Sequence, residues 1–446
     1  MTLTEAAFWT KRLAIVVGIA GVILIIIILV LTSVAKDPLP SEYLTANNAC
    51  TDTSEEFLEN ILEIPSLEVN SDSENIFELQ TDTGKVNSLS SLEIINVHKY
   101  KIKEQQLDNQ LKAKEIASAL GFDADKIYRK GTTDYIWTSS TNSRSLDINA
   151  TTLNFVMTTS SSYIRDVAKI SDLPDKDEAI SYAKNTIRRL GILGSDYNYN
   201  DSGNINTFLI DINPDGTFSE AASLAEAELI KVDFQKTRPM ISVKETTDNS
   251  AAIIRALTDN LGDPEEEEII VNDERITVYN YSTIVTYTNP SSSNISVYIG
   301  PEDENTDVLS YVYKIDFTYW PLETESCGTY ELVSPTYALE KVQAGEGSLV
   351  YLNDKNGDEI VDYEPRSVTK YIIYDIDIVY YEPTTTQPVY LQPIYVISGE
   401  AVFKDESRGE FHIFYPAINY DIVQDKTETT DDTTTDDTSG TNLLNL

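Results

Sequence analysis

Residues 13–35 read LAIVVGIAGVILIIIILVLTSVA, 23 positions without a formal charge. At about 1.5 Å rise per residue, a helix of that length crosses a hydrocarbon core of about 30 Å with a little tilt. It also satisfies its own backbone polar groups, which lipid cannot do. The flanks orient it. Lys11 and Arg12 precede the run with Trp9 beside them, whereas Lys36 is followed by Asp37 and Glu42 and no further cation until Lys85. Cations stay on the cytoplasmic side. The expectation is therefore a single-pass protein of the cell membrane that meets the lipid bilayer through residues 13–35. Residues 1–12 are cytoplasmic and the main domain is extracytoplasmic. Ser33-Val34-Ala35 also has the small-x-small form of a signal-peptidase site, but the run far exceeds the roughly 7–15 apolar residues of a signal peptide.

The exported part is strongly acidic. The 446-residue chain has 33 Lys and Arg against 73 Asp and Glu, a net charge of −40. Setting aside Glu5, Lys11 and Arg12 leaves 31 cations and 72 anions from Lys36 onward, so the whole excess lies beyond the apolar run. Nucleic acid is excluded as a partner, because affinity for a phosphate backbone comes from cations that displace counterions. Two histidines and two cysteines give zinc fingers and iron–sulfur clusters no raw material. Cys50 and Cys327 are an even pair on an oxidising side, either joined as a disulfide or left as two thiols. Residues 425–446, rich in Asp, Thr and Ser, read as a disordered acidic tail, since they have too little apolar surface to offset chain entropy. Residues 36–74 read as a juxtamembrane linker.

Between these ends, helical and strand periodicities alternate. Leu107, Leu111, Ile116, Ala117 and Leu120 fall on one helical face that Gly121 stops. Strand-like runs follow at 135–137, 146–148 and 153–157. Asp175 and Glu178 have capping-box spacing before the stripe Ala179, Ile180, Ala183, Ile187 and Leu190, ended by Gly191. A helix at 251–261 stops at Gly262. Ser334 is placed to cap a last helix with Pro335 at its first position and Gly345 beyond its end. β-branched and aromatic runs follow each helix. This predicts an α+β fold: an N-terminal transmembrane helix, about three helix-on-antiparallel-sheet modules at 75–170, 171–325 and 326–424, and the disordered tail. The 27 tyrosines suit half-wet sheet faces, ring buried and hydroxyl at the solvent edge.

The run AKEIASALGF (113–122), Tyr135-Ile136-Trp137 and LDINATTLNF (146–155) resemble a helix–hairpin module of the PepSY and YycH/YycI type. Residues 177–190 resemble the helix of a second module. SPTYALEKVQAG (334–345), followed by 371–381 and Leu391-Gln392-Pro393-Ile394-Tyr395, resembles a third. The resemblance implies an extracytoplasmic module without catalytic residues; YycH/YycI relatives act on a membrane sensor kinase by protein contact. The acidity and the Thr-rich tail depart from that type.

Motifs for chemistry are sparse. His98 and His412 sit in strand-like runs without a G-x-S-x-G elbow, and no phosphate-binding glycine loop is present. Nothing in the spacing selects a pair from 73 acids. No catalytic or cofactor-binding residue is expected, and the chain reads as a non-enzyme. Asp354, Asn356, Asp358, Ile360 and Asp362 match the oxygen-donor spacing of a calcium loop. However, Glu359 stands where the turn glycine belongs and Pro365 where the bidentate Glu belongs. A hairpin turn at Asn356-Gly357 accounts for the same residues. The functional expectation is a membrane-anchored module acting by contact with another envelope protein. The alternative is an acidic, calcium-dependent cell-surface structural or adhesive protein.

Overall fold

The computed structural model describes residues 45–50, 62–68, 76–80, 92–130, 133–169, 172–192, 197, 204–245, 250–271, 274–290, 292–306, 308–356, 359–361, 365, 367–383 and 387–420. The apolar run 13–35 and the tail 425–446 lie outside them. Among the described residues no helix is long and apolar enough to cross a membrane. In chain order the elements are β1 Ile76–Leu79, β2 Ile94–Tyr100, α1 Asn109–Ala119, β3 Tyr128–Lys130, β4 Asp134–Ser139, β5 Arg144–Asn149 and β6 Phe155–Thr159. Then come α2 Ser161–Ala168, α3 Lys176–Leu190, β7 Ile205–Ile212, β8 Phe218–Glu220, β9 Leu229–Phe234, β10 Thr237–Lys244 and α4 Ser250–Leu261. The remainder are β11 Glu265–Val271, β12 Glu274–Thr286, β13 Ile295–Ile299, β14 Val312–Phe317, β15 Leu322–Glu331 and α5 Pro335–Gln343. They end with β16 Ser348–Asn356, β17 Glu359–Val361, β18 Val368–Tyr381, β19 Tyr390–Phe403 and β20 Arg408–Pro416.

This architecture corrects the expected α+β chain of three helix-on-sheet modules, while the expected transmembrane helix falls on residues outside those described. Of the described residues 45% are strand and 18% helix, and the strands form two large sheets. One sheet has nine strands in the order β3-β4-β5-β6-β14-β13-β9-β7-β8. Strands expected in separate modules thus share one ladder: β6 pairs with β14 through Phe155↔Phe317, and those rings stack 4.9 Å apart. A three- or four-stranded sheet would leave β6 as an open edge, and pairing with β14 closes it. Helices α1 and α3 cover one face, where Ala113, Ile116, Ala117, Ala179, Ala183 and Ile187 join a core with Trp137, Val232, Phe234 and Val297.

The caps explain where the helices start. Asp175 accepts from the Glu178 amide at 2.8 Å while the Glu178 carboxylate accepts from the Asp175 amide, a complete capping box, and Gly191 ends α3 with φ 63°. The rotation of α1 differs from the sequence expectation. Ile116, Ala117 and Leu120 are buried as expected, but the stripe continues through Asn109 and Ala113, and Leu107 and Leu111 face outward. Two alanines permit closer approach to the sheet than leucines would, so they set the phase.

The other sheet runs β10-β12-β18-β19-β20-β16-β17, with β1 added parallel to β18. Strand β2 is buried along almost its whole length and takes partners on both sides, β15 along its full run and β19 at Tyr390 and Leu391. That double demand removes β2 from the first expected module. At Gly399 an added Cβ would sit 1.9 Å from the Ile372 carbonyl oxygen, and the β18–β19 register shifts there, between Ile373 and Asp375. Only glycine permits that approach.

By its packing the chain divides into two units. Among the described residues the smaller holds 242–281, with α4 and an antiparallel pairing of β11 with β12 from Glu265↔Asn280 to Val271↔Glu274. Its buried apolar residues are Val243, Ile253, Ala256, Leu257, Val278 and Tyr281, and the Tyr281 hydroxyl donates to the Ile254 carbonyl at 2.8 Å. The larger unit holds 45–241 and 282–420.

Within the larger unit the chain passes between sheets at 101–108, 235–236, 287–294 and 318–321, and these passages meet around one buried ion pair. Lys236 Nζ lies 2.6 Å from Glu382 Oε2, with both side chains wholly buried. The carboxylate also accepts from the Tyr100 hydroxyl at 2.5 Å and from Asn294 Nδ2 at 2.6 Å. The ammonium donates to the Trp320 carbonyl at 3.0 Å and lies 5.4 to 5.8 Å from the rings of Tyr100, Tyr197 and Tyr319. Beside it, Lys103 Nζ donates to the Thr152 carbonyl at 2.7 Å and to Asn154 Oδ1 at 3.1 Å. Burial, then the neighbouring Lys236 charge, pushes the Lys103 amine down to about 7.

Removing one partner leaves a charge buried and unpaired, so Glu382→Leu is expected to destabilise the chain by about 3–5 kcal/mol. The Lys236→Met/Glu382→Leu double variant should recover much of that loss in denaturant unfolding, and a double variant as unstable as the single would contradict the ion-pair account. Lys103 generates a pH dependence. Below pH 7 both folded and unfolded chains hold its proton and the full cost of burying the charge is present. Above pH 7 the unfolded chain binds the extra proton, so stability rises with pH toward 10.5, by at most about 1.4 kcal/mol per unit. Melting curves from pH 7 to 9.5 should show this rise and should lose it in Lys103→Met.

Candidate functional site

A cleft of about 650 Å³ opens where β15 and β20 end beside α5. Its floor is set by backbone geometry. Leu332 and Ile418 form an isolated antiparallel bridge, and the Val333 amide donates to the Ala417 carbonyl at 2.9 Å. The fully buried Tyr395 fixes Val333 from beneath, its hydroxyl donating to the Val333 carbonyl at 2.8 Å. Helix α5 forms the rim. Ser334 Oγ accepts from the Tyr337 amide at 3.1 Å, with Pro335 in the first turn, so the sequence Ser-Pro-Thr-Tyr turns Tyr337 outward at 39% exposure.

Tyr337, Tyr415 and Tyr420 line the cleft with Leu332, Val333, Pro416 and Ile418. Lys341 supplies charge at the rim. Its ammonium lies 5.6 Å from the Tyr337 ring and 2.9 Å from each Glu346 oxygen, and that hydrogen bonding pushes the amine above its usual range. The Tyr420 hydroxyl donates to Gln392 Oε1 at 2.8 Å, and Gln392 is fully buried. A mainly polar lining that carries aromatic rings with polar tips, one ion pair and smaller apolar patches can meet the mixed side chains of a protein segment. The one serine in the lining, Ser334, spends its oxygen on the helix cap.

The back of the cleft is tied to the N-terminal segment. Cys50 and Cys327 form a disulfide with Cα atoms 4.9 Å apart and a separation of 277 positions in sequence. Around it Cys50, Val97, Tyr330, Tyr390 and Ile418 form a cluster to which Tyr420 also packs, so two residues of the cleft wall lean on the bridge. Residues 45–50 follow β15 closely. The Asn48 amide donates to the Thr329 carbonyl at 3.0 Å, and the Cys50 amide donates to the Tyr330 hydroxyl at 3.0 Å. Gly328 makes room for them, since a Cβ there would come within 2.8 Å of the Ala49 nitrogen.

The two histidines lie on different strands. His98, on β2, is buried with Nε2 at 3.0 Å from the Pro239 carbonyl oxygen; burial, then the Arg238 charge, lowers its pKa to about 4. It is therefore neutral at pH 7 and donates to that carbonyl. His412, on β20, stacks edge-on against Tyr351 with ring centroids 5.5 Å apart. Of the calcium-loop residues, Asp354 and Asn356 belong to β16 and Ile360 to β17, paired as Asp354↔Val361, Lys355↔Ile360 and Asn356↔Glu359. They stand on the two arms of a hairpin, while Asp358 and Asp362 lie outside the described residues. Among the described residues no three His, Cys, Asp or Glu side chains are grouped to share an ion.

Comparison of the chain with protein-family models, with characterised proteins and with solved structures finds no match. The cleft had no motif to announce it. Only Ser334-Pro335 and the flanking tyrosines were visible, and they read as a helix start and sheet residues.

Replacing both cysteines by serine releases a loop of 277 residues and should lower stability by about 3–5 kcal/mol. Because Ile418 and Tyr420 rest on the bridge, amide exchange at 415–420 should accelerate more than that at β13. Equal acceleration at both places would uncouple the bridge from the cleft.

Proposed function

We propose that the chain is an extracytoplasmic interaction module, tethered to the bilayer by its apolar residues 13–35, that acts by binding a segment of another envelope protein without catalysis. The observation that carries this reading is the cleft at the α5 rim, with Tyr337 and Tyr415 on a helix and a strand, Tyr420 held by Gln392, and a covalent support behind it. Aromatic side chains provide large contact area at low entropic cost, which is why they concentrate at protein interfaces. The tether is supported by the 23-residue uncharged run, and the outer location by a disulfide that persists on an oxidising side. The role matches what the PepSY and YycH/YycI resemblance implies, although it is argued from the cleft.

A photoreactive phenylalanine analogue at Tyr337, in the full chain in its native membrane, tests the reading. Crosslinking should yield a discrete adduct with a different protein, and Lys341→Glu should reduce its yield several-fold. Adducts only with a second copy of the chain would favour a surface-structural role. Adducts with lipid alone would refute protein recognition at the cleft.

A further inference from the structure

The segment that leaves β2 combines exposed aliphatic side chains with a local reversal of charge. Ile102, Leu107 and Leu111 are 73%, 108% and 61% exposed. Asp108 already has helical backbone angles and its carbonyl accepts from the Lys112 amide, so Leu107 and Leu111 stand one turn apart on the outward side of α1. Leaving two leucines and an isoleucine in water within ten residues costs apolar burial that a lipid or protein contact would recover.

The charge around them is opposite to that of the chain. Residues 99–130 contain eight cations (Lys99, Lys101, Lys103, Lys112, Lys114, Lys126, Arg129 and Lys130) and five anions (Glu104, Asp108, Glu115, Asp123 and Asp125); Lys103 is spent inside the fold on Thr152 and Asn154, and the other seven cations leave a net of +2 in a chain of −40. Three of the lysines are paired with Asp108, Asp125 and Asp123, and these pairs contribute no net charge. An anionic surface is therefore attracted by this segment and repelled by the acidic remainder, which would orient the domain as well as hold it.

Its position fits. The Cys50 and Cys327 sulfurs both approach the Val97 carbonyl, at 3.9 and 3.3 Å. Ile102 is five residues beyond Val97, at most about 18 Å away along extended chain. Residue 45 follows the apolar run by ten residues, which reach at most about 35 Å. Asn47 and Asn48 bond Thr329, the partner of Asn96, so the first described residues of the chain meet β2 about 20 Å of extended strand from Ile102.

We infer that Ile102, Leu107 and Leu111, with the surrounding lysines, form a second membrane contact that docks on anionic lipid headgroups and inserts its aliphatic side chains at the interface. This rests on the tethered reading above. Aliphatic side chains enter the boundary between headgroup and acyl chain while adjacent lysines meet the headgroups, the combination that peripheral helices use.

The test uses the full chain reconstituted into vesicles of phosphatidylcholine, with and without one third phosphatidylglycerol, each carrying brominated acyl chains. Leu107→Trp and Leu111→Trp report insertion, with the unaltered chain giving the background from Trp9, Trp137 and Trp320. Leu224→Trp, exposed on the turn after β8, serves as the control. The expected result is at least twofold more quenching at 107 and 111 than at 224 in anionic vesicles, abolished by 0.5 M salt and reduced by Lys101→Glu. Loss of exchange protection at 101–108 in the Leu107→Ser/Leu111→Ser variant would support the same contact without a tryptophan. Quenching no greater than at 224, or equal in neutral and anionic vesicles, overturns the inference. Protection of 101–108 by an added protein with no lipid quenching also overturns it. A salt or carbonate wash of the neutral vesicles separately reports whether residues 13–35 hold the chain, so failure of the tether and failure of the patch give different results.

Discussion

One carboxylate holds the two sheets in place. Glu382 receives Lys236 and Tyr100 on one oxygen and Asn294 on the other, and its partners come from two passages of the chain between the sheets and from the end of β2. A buried pair gains little net energy, because taking two charges out of water costs about what their attraction returns. What this pair supplies is position. Any displacement of one passage would leave a donor or acceptor unsatisfied in the interior, at about 1–3 kcal/mol or more for a charged group. The arrangement therefore has one low-energy register, and the sheets inherit it.

The same accounting explains the tyrosines. They were expected on half-wet sheet faces with hydroxyls at the solvent edge, yet Tyr100, Tyr313, Tyr330, Tyr380 and Tyr395 rank among the largest fully buried side chains. Each hydroxyl finds an internal partner. Tyr313 donates to the Pro301 carbonyl at 2.7 Å, Tyr380 to that of Asn96 at 2.7 Å and Tyr395 to that of Val333 at 2.8 Å. The carbonyls of Pro301 and Val333 belong to irregular backbone outside the strands, and a buried phenol reaches them where water cannot. Burial without partners would be expensive; burial with them ties loops to sheets.

Local signals in the sequence were legible because local physics decides them. Asp175 with Glu178, Ser334 with Pro335, and Gly191 act within one turn of a helix, and the structure has helix ends at those places. The face of α1 was legible at its C-terminal half, Ile116, Ala117 and Leu120, but not at its start, where Asn109 and Ala113 are buried in place of Leu107 and Leu111 because the sheet demands close approach. Strand partnership was hidden for a different reason. β6 pairs with a strand more than 150 residues later, and no property of Phe155 names Phe317 as its neighbour. A strand buried on both faces, such as β2, announces two partners without identifying them. The cleft depends on such a long-range meeting, of Leu332 with Ile418, so it could not be read from spacing.

Strand β2 relates the functional features to one another. Its first residue, Ile94, pairs with Glu331, one residue before the cleft begins at Leu332. Its middle, Val97, lies against the disulfide, and its last residue, Tyr100, donates to Glu382 just before the chain turns into the basic aliphatic segment. Six steps of about 3.3 Å separate the two ends, so cleft and patch are held about 20 Å apart by a strand paired on both sides. A rigid strand transmits position. Residues 45–50 meet this strand between the two, at the bridge. The bridge therefore ties residues 45–50 to the middle of a buried strand and not to an edge that could peel.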